Sequence, residues 1–156
     1  MKHLLKALPV LLMLSMTTGC AHTSGEELGL TMDGKLTPCP ASPNCVSSDV
    51  KDGNHAIAPL EIISSAEQTW TALLTYIETQ PRWTLKVSEP SYLRVEARTR
   101  LLRFVDDVEF KLRPADKRIA MRSASRVGYS DLGTNRRRLE GVREALADQN
   151  LVRGNN

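Results

Sequence analysis

An α+β two-layer sandwich, with a four-stranded antiparallel meander covered on one face by two helices, is the architecture this 156-residue sequence predicts. Three observations carry it. An apolar stripe of helical period lies within residues 64–80. Four alternating stretches follow between residues 82 and 127, only a few residues apart. A second helical stripe closes the pattern near residues 131–149. The short separations require antiparallel neighbours, because parallel ones need crossovers of a dozen residues or more.

In the first helix, Trp70, Leu73, Leu74 and Ile77 fall at i, i+3, i+4 and i+7. Ser64 and Glu67 read as a capping box, and Pro81 ends the helix. Trp83, Leu85 and Val87 share one face of the first strand. The second runs from Tyr92 to Arg98, after a Glu89-Pro90-Ser91 turn. The third spans 103–113 and the fourth 118–127, joined by a hairpin through Pro114-Ala115-Asp116-Lys117. Leu139, Val142 and Leu146 form the inner stripe of the last helix. No repeat and no glycine-rich phosphate loop is present.

Composition excludes several classes. With 41% hydrophobic and 25% charged residues, the chain is neither disordered nor collagen-like nor a multi-span membrane protein. Three His and three Cys leave no stock of ligands for a metal site, since His55 alone lies near the cysteines, and no cofactor motif appears.

The first residues have the layout of an export signal. Lys2 and Lys6 precede the apolar run Leu8-Pro9-Val10-Leu11-Leu12-Met13-Leu14, which is too short to span a bilayer. Small residues and then Gly19-Cys20 follow, which is similar to a bacterial lipobox. Thr17 stands where that signal usually has Leu, and an ordinary secretory signal with Cys20 a bystander is the competing reading. On the lipobox reading, residues 1–19 are a lipoprotein signal peptide and Cys20 is the lipid attachment site. Residues 20–36 are then a lipid-attached tether, 37–150 a single globular domain, and 151–156 a tail. Acylated Cys20 would hold the protein on a membrane, facing the periplasm, and Ala21 in place of Asp points to the outer membrane.

Loss of Lys2 and Lys6 leaves a nearly neutral chain, so the pI near 8.9 gives no reason to expect nucleic acid as a partner. Residues 21–81 carry Lys35 and Lys51 against eight acids, whereas residues 82–143 are strongly basic. The two halves either attract each other across one fold or leave a basic binding surface. Cys39 and Cys45 flank a Pro-stiffened turn, and an oxidising compartment should pair them.

One polar constellation stands out. Phe104, Asp106, Val108, Phe110 and Leu112 share a strand face, so Asp106 falls among apolar residues and needs a partner. Ser123 and Ser125 continue the inward face of the next strand. Arg136, Arg137 and Arg138 then crowd a helix start, against the helix dipole. Two readings are open. In one, Asp106, Asp131 and Asn135 tie Arg122, Arg126 and Arg138 into a structural lock. In the other, Arg122, Ser123, Arg126, Arg136 and Arg138 help to form a site for an anionic small molecule or lipid head group. Catalysis lacks a recognisable set, because no His follows His55 and no Cys follows Cys45.

The segments Pro38-Cys39-Pro40-Ala41-Ser42-Pro43-Asn44-Cys45-Val46-Ser47-Ser48, Phe104-Val105-Asp106-Asp107-Val108-Glu109-Phe110, and Arg122 to Arg136 resemble the family known as domain of unknown function 1499, over about residues 36–147. The resemblance implies a domain often found in exported or membrane-attached proteins, and it supplies no catalytic residues. The function expected from these observations is non-enzymatic: a lipid-anchored cell-envelope domain recognising an anionic ligand or partner. The alternative is a hydrolase or transferase using Asp106, Asp107 or Ser123.

Overall fold

The computed structural model describes residues 28–51 and 53–155. Cys20 and the expected leader lie outside them.

The sheet has six strands rather than four. Four of them form the expected meander: β3 (Trp83–Glu89), β4 (Tyr92–Arg98), β5 (Val105–Arg113) and β6 (Arg118–Ser125). The other two, β1 (Cys45–Ser47) and β2 (Leu60–Glu61), both pair antiparallel with the outer edge of β6. Their brevity hides them in the sequence. β1 has three residues inside a Pro-rich stretch, and β2 has two directly after Pro59, too few to show a period of two.

Alternation sets the register of the meander. Leu93 faces Phe110 and Val95 faces Val108, while Phe110 faces Met121 and Val108 faces Ser123, so apolar side chains stack across the helix-side face. β3 joins β4 through a register shift between Leu85 and Val87. A 3₁₀ turn (Pro114–Asp116) closes the β5–β6 hairpin, and Lys117 takes a left-handed conformation there.

Helices α1 (Ala66–Thr79) and α2 (Thr134–Ala147) cover the apolar face. Ser65 caps α1, not Ser64: its Oγ accepts the Gln68 amide at 3.0 Å. The capping residue thus sits one position later, and Ser64 lies beside the Thr69 hydroxyl instead. Leu73 and Ile77 are buried, while Trp70 and Leu74 pack partly exposed at the flank of the same stripe. Tyr76 meets Trp83 edge to face at 6.0 Å, tying α1 to β3.

Both ends of the domain extend past the expected limits. Within the expected tether, residues 28–36 fold back on the other face of the sheet, bridged between Leu30 and Leu36, with Leu36 buried against Tyr92 and Ala120. Within the expected tail, Leu151 and Val152 are buried in the main core, and Val152 bridges to Ile62. Polar spacing conceals the first of these, and lack of a helical or strand run conceals the second.

Cys39 and Cys45 form a disulfide with Cα atoms 5.7 Å apart, and this bond holds the Pro-rich turn against β6. Because the loop is short, reduction is expected to cost about 2 kcal/mol, visible as a lower thermal midpoint in reductant. An unchanged midpoint with both thiols shown to be free would refute that estimate.

Candidate functional site

Four strand ends converge at one end of the sheet: β3 and β5 start there, and β4 and β6 finish there. Two loops, 99–104 and 126–133, rise from this end beside the first turn of α2. Between them lies a cleft of about 590 Å³ whose lining includes Trp83, Leu101, Leu102, Phe104, Asp106, Ser125, Leu132 and Arg138.

The floor of the cleft is polar and belongs to the expected constellation. Arg138 Nη2 donates to Asp106 Oδ2. Its Nη1 donates to Ser123 Oγ at 2.9 Å and to Asn135 Oδ1 at 2.5 Å. Ser123 Oγ also donates to Asn135 Oδ1 at 2.6 Å, and Asn135 Nδ2 donates to Ser125 Oγ and to the Asn44 carbonyl. Asn44 in turn donates to the Gly128 carbonyl at 2.6 Å, fixing the start of the 126–133 loop. Asp106 is 1% exposed, yet its Oδ1 has no hydrogen-bond partner among the described residues. That orphaned acceptor costs desolvation energy until a donor reaches it.

The structure therefore brings together Asp106, Ser123, Ser125, Asn135 and Arg138. Asp131 caps α2: its two oxygens accept the Gly133 and Asn135 amides at 3.0 and 2.7 Å. This carboxylate offsets the clash between the arginines and the helix dipole. Gly133 turns into the helix at φ +77°, where a side chain would be strained.

The lock reading needs correction for two residues. Arg122 and Arg126 sit on the opposite face of β6 from Ser123 and Ser125. Arg122 Nη1 donates to Glu109 Oε2 at 3.0 Å, both residues being fully buried. Glu109 Oε1 also accepts from Tyr92 at 2.5 Å and from the Gly29 amide at 2.7 Å. Burial, and then the hydrogen bond to Glu109, raise the Tyr92 hydroxyl well above its ordinary pKa. Arg126 holds Asp107 through two bonds and Glu96 through a third. The Asp107 bond raises the Arg126 pKa, and Arg126 in turn lowers that of Glu96. Asp106 and Asp107, adjacent in sequence, thus serve opposite faces.

The helix-start arginines hold protein acceptors as well. Arg136 donates to the Asn54 and Ala56 carbonyls, and Arg137 to the Leu132 carbonyl and Thr134. A more open basic site lies across the cleft, and sequence reasoning missed it. Arg82, Arg98, Arg100 and Arg103 line a hollow of about 190 Å³ that shares Arg82, Trp83, Arg98, Thr99 and Arg100 with the cleft wall. All four are exposed, and among the described residues only Arg98 has an acidic neighbour, Glu96 at 3.8 Å. The density of Arg between residues 82 and 103 was the available signal, but only the strand pairing gathers those positions at one end.

The alternative catalytic groups do not share one accessible site, although Arg138 binds both Asp106 and Ser123. Asp106 faces the cleft, Asp107 faces the opposite side, and Ser123 is fully buried between Arg138 and Asn135. Among the described residues, no group of three His, Cys, Asp or Glu could hold a metal ion. No described helix is long and apolar enough to cross a membrane.

Fold and site together define a helix-backed antiparallel-sheet domain with an end-on cleft, apolar on its loops, polar on its floor and basic at one side. The chain belongs to the family described as protein of unknown function (DUF1499), whose model matches residues 35–146. That span contains the whole cleft lining. No curated protein and no solved structure matches the chain.

Proposed function

We propose that this is a lipid-anchored cell-envelope protein whose domain binds an anionic amphiphile at the loop end of its sheet. The anionic head occupies the arginine hollow, and the apolar body lies in the adjoining cleft. The observation that carries the reading is this adjacency: guanidiniums at Arg82, Arg100 and Arg103, with no acidic partner among the described residues, share a wall with a cleft flanked by Leu101, Leu102, Phe104 and Leu132. Arginine suits a phosphate or carboxylate head because its planar fork donates two hydrogen bonds at once. Asp106 Oδ1 adds a demand of its own, since it is satisfied by a hydroxyl or ammonium hydrogen on the ligand.

The binding test is a titration of the full chain with lysophosphatidylglycerol below its micelle concentration, read by tryptophan fluorescence. Trp83 lies in the cleft wall and should report saturation. Arg100→Glu with Arg103→Glu is expected to abolish the signal. Asp106→Asn keeps an oxygen for Arg138 but turns a donor toward the ligand. Its melting temperature should fall less than that of Asp106→Ala while affinity falls roughly ten-fold, about 1.4 kcal/mol, the scale of one hydrogen bond to a charged group. No saturable signal, or unchanged affinity in the double arginine variant, would sink the reading.

Anchoring is supported by the Lys2, Lys6, Leu8-to-Leu14 and Gly19-Cys20 layout. The disulfide agrees with an oxidising compartment such as the periplasmic side of an outer membrane. Radiolabelled palmitate is expected to enter the wild type and not Cys20→Ala, and equal label in both ends the anchoring proposal.

A further inference from the structure

Soluble surfaces normally scatter their exposed large apolar residues, and a cluster of them marks a contact. Of the nine among the described residues, six lie on the two loops at the end of the sheet, and Leu30, Met32 and Ile63 are scattered elsewhere. Leu101 is 88% exposed, Leu132 is 84%, Tyr129 is 77% and Leu102 is 70%. On the sheet and helices, large apolar side chains are mostly buried, so the concentration is local.

These loops are built to display their tips. Thr99 and Phe104 close the first through two bonds of 2.9 Å, one from the Phe104 amide to the Thr99 hydroxyl and one from the Thr99 amide to the Phe104 carbonyl. The second is held from below, where Arg137 donates to the Leu132 carbonyl at 2.8 Å. Arg103 and Leu132 both adopt left-handed backbone, at φ 54° and 52°. A leucine is a poor choice there, since Asn or Gly would take that conformation at lower cost and leave no apolar group in water. The apolar tip is maintained despite strain and despite solvent.

Charge identifies what it meets. Arg82, Arg98, Arg100 and Arg103 flank the base of the first loop, and no acid on either loop faces outward unpaired, because Asp131 is occupied at the start of α2. An apolar tip within a basic collar is the pattern of a surface that enters the interface of an anionic bilayer: the leucines sit among the acyl chains while the guanidiniums meet the head groups. A second copy of this chain would instead place two basic collars against each other.

We infer that the loop end, with Leu101, Leu102, Tyr129 and Leu132 leading, docks into the surface of a bilayer rich in anionic phospholipid. The docking and the cleft reading share these leucines and arginines but differ in the lipid they engage, a bilayer surface or a single molecule, and the vesicle and monomeric-lipid arms below tell them apart.

The test is amide hydrogen exchange of the full chain on vesicles, because it reports where protection falls and is not confounded by attachment through the N-terminus. On vesicles containing equal phosphatidylglycerol and phosphatidylcholine, exchange is expected to slow several-fold in residues 99–104 and 127–133. It should stay unchanged in α1, and the slowing should be absent on phosphatidylcholine alone. Leu102→Asp with Leu132→Asp should remove the loop protection while the melting temperature stays at or above the wild-type value. Unchanged loop exchange on chains shown to be vesicle-bound would overturn the docking. Equal protection by monomeric dihexanoylphosphatidylglycerol would overturn it too, in favour of cleft occupancy alone. Lipid-free loop protection that rises with protein concentration would assign the tips to self-association and also overturn it.

Discussion

Glu109→Ala is expected to be among the most damaging single changes in this protein, lowering stability by about 3–5 kcal/mol. Glu109 and Arg122 are both fully buried, so removal of the carboxylate breaks a buried ion pair in the sheet. The Tyr92 hydroxyl and the Gly29 amide lose their acceptor at the same time. A loss of that size is a large share of the 5–15 kcal/mol typical of a domain. Glu109→Gln keeps the shape and one acceptor oxygen, so it should fall between Ala and wild type. Urea unfolding of the three proteins measures the order. A midpoint for Glu109→Ala equal to wild type would show that the buried pair contributes nothing. Limited proteolysis near Gly29 should accelerate in the same variant, because this side chain holds the Gly29 end of residues 28–36 to the sheet.

The second large effect concerns the cleft floor, and its two halves are unequal. Arg138→Ala removes the one side-chain partner that Asp106 has among the described residues and leaves neither carboxylate oxygen with a described donor, again about 3–5 kcal/mol. Asp106→Ala is milder, because Arg138 still donates to Ser123 and Asn135. About 2–3 kcal/mol is expected, the penalty of a charged group losing one good partner. Thermal unfolding of both singles and the double gives their coupling. If Asp106→Ala melts within a degree or so of wild type, the ion pair is no lock and the carboxylate belongs to the ligand alone.

The inward position of Asp106 was legible from the sequence, because β5 alternates without interruption. Its partner was legible too, but only by applying the same parity to β6. Ser123 points inward, so Arg122 must point outward, and Arg126 with it. Arg138, one turn into α2, is the remaining choice. The expected lock mixed the two faces and so included two arginines that serve Glu109 and Asp107. Glu109 itself gave no signal. It alternates with Asp107 and Lys111 and reads as a solvated face, and the segment that buries it has no periodicity to announce a strand or helix. The arginine hollow escaped for a different reason. Arg82 is distant in sequence from Arg98, Arg100 and Arg103 and joins them only because β3 and β4 are antiparallel, so that the start of one lies beside the end of the other.

The register shift in β3 has a consequence for how this molecule can meet others. β3 is the open edge of the sheet, and an open edge is a template for strand addition by another chain. The irregularity between Leu85 and Val87 breaks the row of backbone donors and acceptors there, and exposed Lys86 stands at the break. On the far side, β6 is paired by two separate strands of three and two residues. Neither border offers a long straight ladder to an incoming strand. Association through main-chain pairing is therefore disfavoured at both sides, and side-chain recognition at the loop end is the route left open to a partner.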